Sequence, residues 1–332
     1  MNDKNIILIS SQFFNYDIEI KKALEKTGAN VYLYDDRPDN KTLTKAIIRL
    51  KPKLLKSKIH NYYRTIILEN NGRKIDYILF VKCESALADD LQEFKKSFTD
   101  AKLYLYLWDS ISNIKYFDEK KVFFDKILSF DIEDAKNDND IIFRPLFYID
   151  KYKADIKINH EYLYDLSFIG TAHSDRPKII NTIRKQLNKN GKTYYFKLYI
   201  PSRIILIVKY LLNSDVRDLY KNGHIITEKI DSNEIEQIIK MSNSIIDIEH
   251  PKQTGLTMRT IELIGMNKKI ITTNQHIKEY NFYNDKNIFL LDRSNPVIDL
   301  KFLELKYNFI KQNIYDYYSI HTWIKDIFNE RN

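Results

Sequence analysis

The sequence predicts an α/β chain of two doubly wound domains, each a parallel sheet flanked by helices. Short β-branched or aromatic runs alternate with helix-length amphipathic segments through residues 5–144, and the alternation restarts at Tyr164. At 332 residues the chain is longer than one typical domain and suits two, each able to bury its own core. Residues 244–274 read as a buried strand, a polar turn, a short amphipathic helix and a second β-branched run. Parallel strands need a crossover helix, so this is a βαβ unit.

The first domain is expected over 1–155. It opens with a strand Asn5–Ser10, a helix Tyr16–Lys26 stopped by Gly28, and a strand Asn30–Tyr34. Further strands are predicted at Asp76–Val81, Lys102–Leu107, Lys126–Phe130 and Ile141–Arg144, with helix-length segments such as Ala86–Phe98 between them. Periodicity lapses around Asp150–His160, the linker candidate. The second domain, over 156–332, restarts with a strand Tyr164–Ile169, a turn Gly170–Ser174, a helix Asp175–Leu187 and a strand Thr193–Tyr199. An apolar helix from Arg203 follows, then a strand His224–Thr227 and a helix Ser232–Met241 with Ser232 placed to cap it. After the βαβ unit come a last strand Asn287–Leu291 and a long amphipathic segment Leu305–Phe328, assigned to the second domain and expected to pack back as a terminal helix.

With 44% hydrophobic residues and only 7 Gly and 7 Pro, the chain is globular and carries no low-complexity linker. The lone Cys83 excludes a disulfide framework or a multi-Cys zinc site. No signal-peptide core and no apolar run of membrane-spanning length are visible, so a cytoplasmic protein is expected. A net charge of +8 suits a nucleic acid, an anionic membrane surface or a phosphorylated ligand. Between Thr42 and Arg64 basic residues interleave with aliphatic ones, as in an interfacial helix pair, and Pro201–Asn213 is more apolar than one buried face needs. Either stretch could be a core helix with solvated lysines. Together they suggest peripheral contact with the inner face of the cytoplasmic membrane.

Parallel sheets bind ligands at the carboxyl ends of their strands, which directs attention to two turns. The turn His250 to Thr257 offers an imidazole, the Gln253 amide, the Thr254 and Thr257 hydroxyls, Gly255 with Leu256, and a helix N-terminus with Arg259 nearby. The turn after Ile169 offers Gly170, Thr171 and His173, then a helix start flanked by Arg176 and Lys178 with Pro177 in its first turn. Two anion sites facing one crevice would fit a diphosphate. Neither turn is a Walker A or a Gly-x-Gly-x-x-Gly motif, and ordinary helix caps are the competing reading.

In Thr254–Ile271 the chain resembles the GT-B superfamily of glycosyltransferases, which have two Rossmann-like domains and bind a nucleotide sugar mainly through the second. Glu262, Gly265 and Ile270-Ile271 match the order of a ribose-holding glutamate, a small residue and a β-branched strand, which implies Glu262 as the ribose ligand. Thr254 stands where retaining members usually carry an acid, so the departure points to an inverting transfer. The strings Tyr34-Asp35-Asp36-Arg37-Pro38, Leu107-Trp108-Asp109-Ser110, Phe168 to Arg176 and His250 to Arg259 resemble bacterial capsular or lipopolysaccharide biosynthesis transferases. That resemblance implies a nucleotide-diphosphate sugar donor and a glycan or lipid-linked acceptor.

An inverting transfer needs a base at the acceptor hydroxyl. Asp109, at the end of Lys102–Leu107 beside Trp108, is the first candidate; Glu84 and Asp36 occupy equivalent strand ends, where capping the next helix is the competing role. Trp108 could stack on a sugar, and Arg37 is a second acceptor-binding candidate. The Asp138-Asn139-Asp140 run reads as an exposed turn rather than a metal site, and Asp247 and Glu249 as residues shaping the cleft. No required metal or other cofactor is therefore expected. The alternative function is a non-catalytic nucleotide- or nucleic-acid-binding protein, suggested by 53 Lys+Arg and 24 Tyr; no nucleic-acid fold signature supports a nucleic-acid partner.

Overall fold

A computed structural model describes residues 1–154, 162–251 and 254–329. The expected linker falls partly on 155–161, outside the described residues. The chain divides into two compact units, Met1–Phe147 with Tyr318–Asn332, and Tyr148–Tyr317.

The first unit holds six strands, β1 (Asn5–Ser10), β2 (Asn30–Asp35), β3 (Tyr77–Val81), β4 (Lys102–Leu107), β5 (Lys126–Ser129) and β6 (Ile141–Phe143). They pair in the order β2-β1-β3-β4-β5-β6, and every pairing is parallel. Helices cover both faces of such a sheet, which is why its central strands are apolar throughout rather than alternating. Ile6, Ile7, Leu8 and Ile9 of β1 and Ile78, Leu79 and Phe80 of β3 are all fully buried. The strand order reverses between β1 and β3, and this switch point is where such sheets open to ligands.

The second unit repeats the plan with β7 (Tyr164–Thr171), β8 (Tyr194–Tyr199), β9 (Ile225–Ile226), β10 (Ser242–Asp247), β11 (Lys269–Thr272) and β12 (Ile288–Leu290). The order β12-β11-β10-β7-β8-β9, again all parallel, is that of a dinucleotide-binding sheet, with its switch point between β7 and β10. Strand β7 runs on through Gly170 and Thr171, which the sequence places in the turn. Its backbone still pairs with β8 there, Gly170 opposite Leu198. The helix Ser232–Lys240 is capped by Asp231, which accepts the Asn233 N–H at 2.8 Å, so the cap lies one residue before the expected Ser232.

The chain end differs from expectation in two ways. The long amphipathic segment Leu305–Phe328 is not one helix but two short ones, Gln312–Tyr317 and Ile320–Phe328, the second started by Ser319, whose hydroxyl accepts the Thr322 N–H. That last helix packs not on the second sheet but on the first. Trp323, fully buried, lies 4.8 Å from the Tyr106 ring and 4.4 Å from Phe147, and Phe328 lies 5.1 Å from Tyr77. Lys126 closes the contact by donating to the carbonyls of Asp326 and Ile327 at the helix end. An apolar stripe needs a complementary aromatic face, and β3 and β4 carry it.

Candidate active site

In the second unit the carboxyl ends of β7 and β10 meet at the switch point, and two arginines cross between them. Arg176, first residue of the helix Arg176–Lys189 that follows β7, donates through Nε to the Ile248 carbonyl just past β10 at 3.0 Å. Arg259, from the helix Met258–Gly265 that follows β10, donates through Nη1 to the Ile169 carbonyl of β7. Each helix start is thereby drawn to the other's strand. Arg259 is half-buried, and its Nε and Nη2 have no partner among the described residues.

The turn after β7 needs a small residue. A Cβ on Gly170 would lie 2.8 Å from the Phe168 ring and 3.4 Å from the Arg176 guanidinium. Thr171 is exposed, and its carbonyl accepts from Arg176 at 3.3 Å. His173 lies with its ring centroid 5.9 Å from that of His250, which is itself exposed. Burial, with help from the Arg176 charge, pushes His173 down to about 4, so its ring is neutral at pH 7. No side chain caps the helix Arg176–Lys189, whose Lys178 is exposed in the first turn. The Arg176 N–H goes to the His173 carbonyl at 3.2 Å and Pro177 has none, so this start offers an anion the Lys178 N–H and the positive end of the helix dipole.

The other helix start is different. Thr257 caps it, accepting the Thr260 N–H at 3.2 Å, and the Thr257 and Thr260 hydroxyls both donate to the buried Asp247 carboxylate, at 3.2 and 2.5 Å. The Thr257 hydroxyl is thus occupied within the protein. Gly255 and Leu256 are buried, Thr254 is half-buried with its carbonyl accepting from Asn274, and Gln253 lies outside the described residues. Glu262, one turn further along, is half-buried near Tyr152, whose hydroxyl is pushed up by burial and then by the Glu262 charge. Sequence reading missed Arg293. It donates to both Asp175 oxygens at 2.8 and 2.9 Å and to Glu249 at 2.6 Å, so one guanidinium joins the residue before the first helix to the end of β10. Asp247 and Glu249 thus have hydroxyl and guanidinium partners within the second unit.

In the first unit the three candidate carboxylates separate. Asp36 is fully buried, accepting the Glu84 N–H at 2.8 Å and the Tyr63 hydroxyl at 3.3 Å. Burial pushes it up to about 7. Glu84 is buried too, and holds Arg37 through a short contact and through Nε at 2.8 Å, with Arg49 Nε at 3.1 Å and Lys82 at 3.5 Å. Burial alone would raise Glu84; Lys82 and Arg37 outweigh it and hold the carboxyl below its ordinary range. Both carboxylates are committed to partners within the first unit, as is Arg37, which is 6% exposed and paired with Glu84.

Asp109 is the accessible member, 36% exposed, accepting from Asn113 at 2.7 Å and from the Ser110 N–H at 3.1 Å, with Lys82 at 3.4 Å. Lys82 and Cys83 sit side by side in the left-handed region at φ 87° and 54°, backbone strain at the strand end beside the switch point. Trp108 is half-buried, edge-on to Tyr16 at 5.6 Å and Phe147 at 5.5 Å. Phe13 and Phe14 are 49% and 83% exposed in the loop after β1. The surface hollow of about 380 Å³ lined by Lys102, Tyr104, Asp125 and Lys126 lies at the amino ends of β4 and β5, the opposite edge from this chemistry.

No protein-family model matches the chain, and no curated protein matches it in sequence. Solved structures do match. A glycosyltransferase from Rickettsia africae aligns with a TM-score of 0.61 at 13% identity, covering 99% of this chain and 100% of that one. HepE of Anabaena, in complex with UDP and glucose, aligns at 0.57 and 10% identity over 97% of each chain. The UDP-GlcNAc 2-epimerase of Methanocaldococcus jannaschii, in complex with UDP-GlcNAc and UDP, aligns at 0.51 and 13% identity over 97% of this chain and 99% of its own. The chain therefore has the two-sheet α/β fold of the GT-B glycosyltransferases.

Proposed function

We propose that the protein is a glycosyltransferase that moves a sugar from a nucleotide-diphosphate donor to a lipid-linked or growing glycan acceptor in surface glycan synthesis of the capsule or lipopolysaccharide type. The observation that carries this reading is the reciprocal pair Arg176 and Arg259 at the switch point of a dinucleotide-type sheet. The neighbours bound to UDP support a nucleotide sugar as the ligand. Arg259, Lys178 and the uncapped helix start would neutralise the diphosphate without a metal, while Glu262 would accept hydrogen bonds from the ribose. In an inverting transfer Asp109 takes the acceptor hydroxyl proton as that oxygen bonds the anomeric carbon. The bond from that carbon to the diphosphate oxygen breaks, and nucleoside diphosphate leaves into the cationic turn. A lipid-linked acceptor places the work at the inner face of the cytoplasmic membrane; among the described residues no helix is long and apolar enough to cross one.

Titration calorimetry with UDP and a panel of UDP-sugars, followed by product analysis with and without EDTA, tests the reading. Saturable binding and metal-independent release of UDP with the sugar transferred to acceptor or water are expected. Return of an isomeric nucleotide sugar would assign the chain to the epimerase chemistry of its third neighbour. Absence of nucleotide-sugar binding, with affinity for RNA or DNA falling steeply in log salt, would make it a nucleic-acid binder instead.

A further inference from the structure

The helix Arg203–Leu212 has no buried residue. Ile204, Ile205, Ile207, Val208, Leu211 and Leu212 are between 42% and 82% exposed. At about 100° per residue these six occupy one arc of roughly 160°, and Arg203, Leu206, Lys209 and Tyr210 fall in the remainder. That remainder is pinned to the second unit. Leu206 packs on its core, the Tyr210 ring meets Tyr220 edge-on at 5.6 Å, and Arg217 holds the carbonyls of Tyr210 and Leu211 at 3.2 and 3.0 Å. Lys209 donates to the Ala172 carbonyl, in the turn that carries His173, at 2.8 Å. The helix is therefore fixed with its apolar side outward, a contiguous patch of the kind that marks an interaction surface.

The charge of the chain that leads into it selects the occupant. Between Asp175 and Asp215 the chain carries nine Lys and Arg and no Asp or Glu. Of these, only Arg184, Lys185 and Lys192 form an ion pair among the described residues. A second copy of the chain would set like charges against each other, whereas an anionic bilayer neutralises them. Ten residues of helix reach about 15 Å, half the roughly 30 Å of a hydrocarbon core, so the helix can lie in the interface but not span it.

We propose that Arg203–Leu212 seats its aliphatic arc in the interface of an anionic bilayer and, through Lys209, tethers that contact to the donor turn at Ala172. This deepens the membrane part of the proposed function and rests on it. Sedimentation with vesicles of phosphatidylglycerol and phosphatidylcholine in equal parts, and of phosphatidylcholine alone, tests it on the full chain. The double variant Ile207→Ser, Leu211→Ser, both exposed, should partition into the anionic vesicles about ten-fold more weakly than the parent, with unchanged melting and UDP affinity. A second variant, Leu50→Ser with Leu54→Ser, altering exposed leucines of the first unit, should lose less. If the second variant loses binding while the first keeps it, this helix is the wrong element although the membrane reading stands. If the parent does not sediment with either vesicle, the membrane reading itself falls. Equal binding to neutral vesicles would overturn the anionic selection, and a parent dimer made monomeric by the first variant, with vesicle binding unchanged, would make the occupant a second copy.

Discussion

Asp36, Glu84 and Asp109 follow three strands at the same end of one sheet, and what separates them is who neutralises them. Glu84 gathers two arginines and Lys82 while Asp36 loses its solvent; Asp109, with Lys82 at 3.4 Å, stays the most exposed of the three, which is why the proposed transfer takes it as the base. Asp109→Asn should lower turnover by about 10²–10⁴-fold and leave UDP affinity at the parental value, because a base on the acceptor acts in the transition state. Turnover assays and calorimetry check both halves, and parental turnover would remove Asp109 from the mechanism. Glu262→Gln replaces an anionic acceptor with a neutral one and should weaken UDP binding by about 1–3 kcal/mol; unchanged affinity would leave Glu262 a packing partner of Tyr152. His173 adds a pH signature. Its pKa of about 4 in the folded chain lies below the ordinary 6.5, so between those values the unfolded chain binds more protons and stability falls as pH drops from 6.5 toward 4. His173→Gln should flatten the slope of melting temperature against pH in that window; an unaltered slope would show the effect lies in other groups.

Elements were legible where burial on both faces forced continuous apolar runs. β1 and β4 have the bounds the sequence predicts, because a parallel strand under two layers of helix admits little else. The strands of the βαβ unit were legible for the same reason, whereas the turn after β7 was placed two residues early, since β7 pairs with β8 through Gly170 and Thr171. Arg293 was not, since it meets Asp175 from 118 positions away, and no local pattern encodes a contact set by sheet order. The fate of Glu84 was hidden likewise, its Arg37 partner lying 47 positions back. Gly265 is a further case. Sequence resemblance reads it as the small residue of a nucleotide motif, and the structure gives a packing reason: a Cβ there would lie 2.6 Å from the Tyr148 ring and 2.7 Å from the Tyr152 carbonyl oxygen. Gly265→Ala must displace backbone, and should cost about 1–3 kcal/mol, read as a lower urea midpoint at constant slope. A neutral result would mean that the segment Tyr148–Tyr152 yields without loss.

At the scale of the whole molecule, the chain leaves its first unit at Phe147, builds the second, and returns at Tyr318 to finish the first. The stripe of Ile320, Trp323, Ile324, Ile327 and Phe328 could be read from periodicity, but an apolar stripe names no sheet, so the sequence placed it with the domain it follows. The aromatic face that Tyr77, Tyr104 and Tyr106 form on β3 and β4 decides otherwise. Burying each of those five side chains contributes about 1.5–3 kcal/mol, on the order of 10 kcal/mol together, which equals the entire stability of an ordinary domain. Ending the chain at Tyr318 should therefore unfold the first unit while the second, continuous in sequence from Tyr148 to Tyr317, stays folded. Hydrogen exchange followed by peptide mass analysis checks this: amides of β1, β3 and β4 should lose protection, and those of β7, β10 and β11 should keep it. Equal loss in both sheets would mean that the second unit depends on the terminal helix, and retention in both would reduce that helix to a surface appendage.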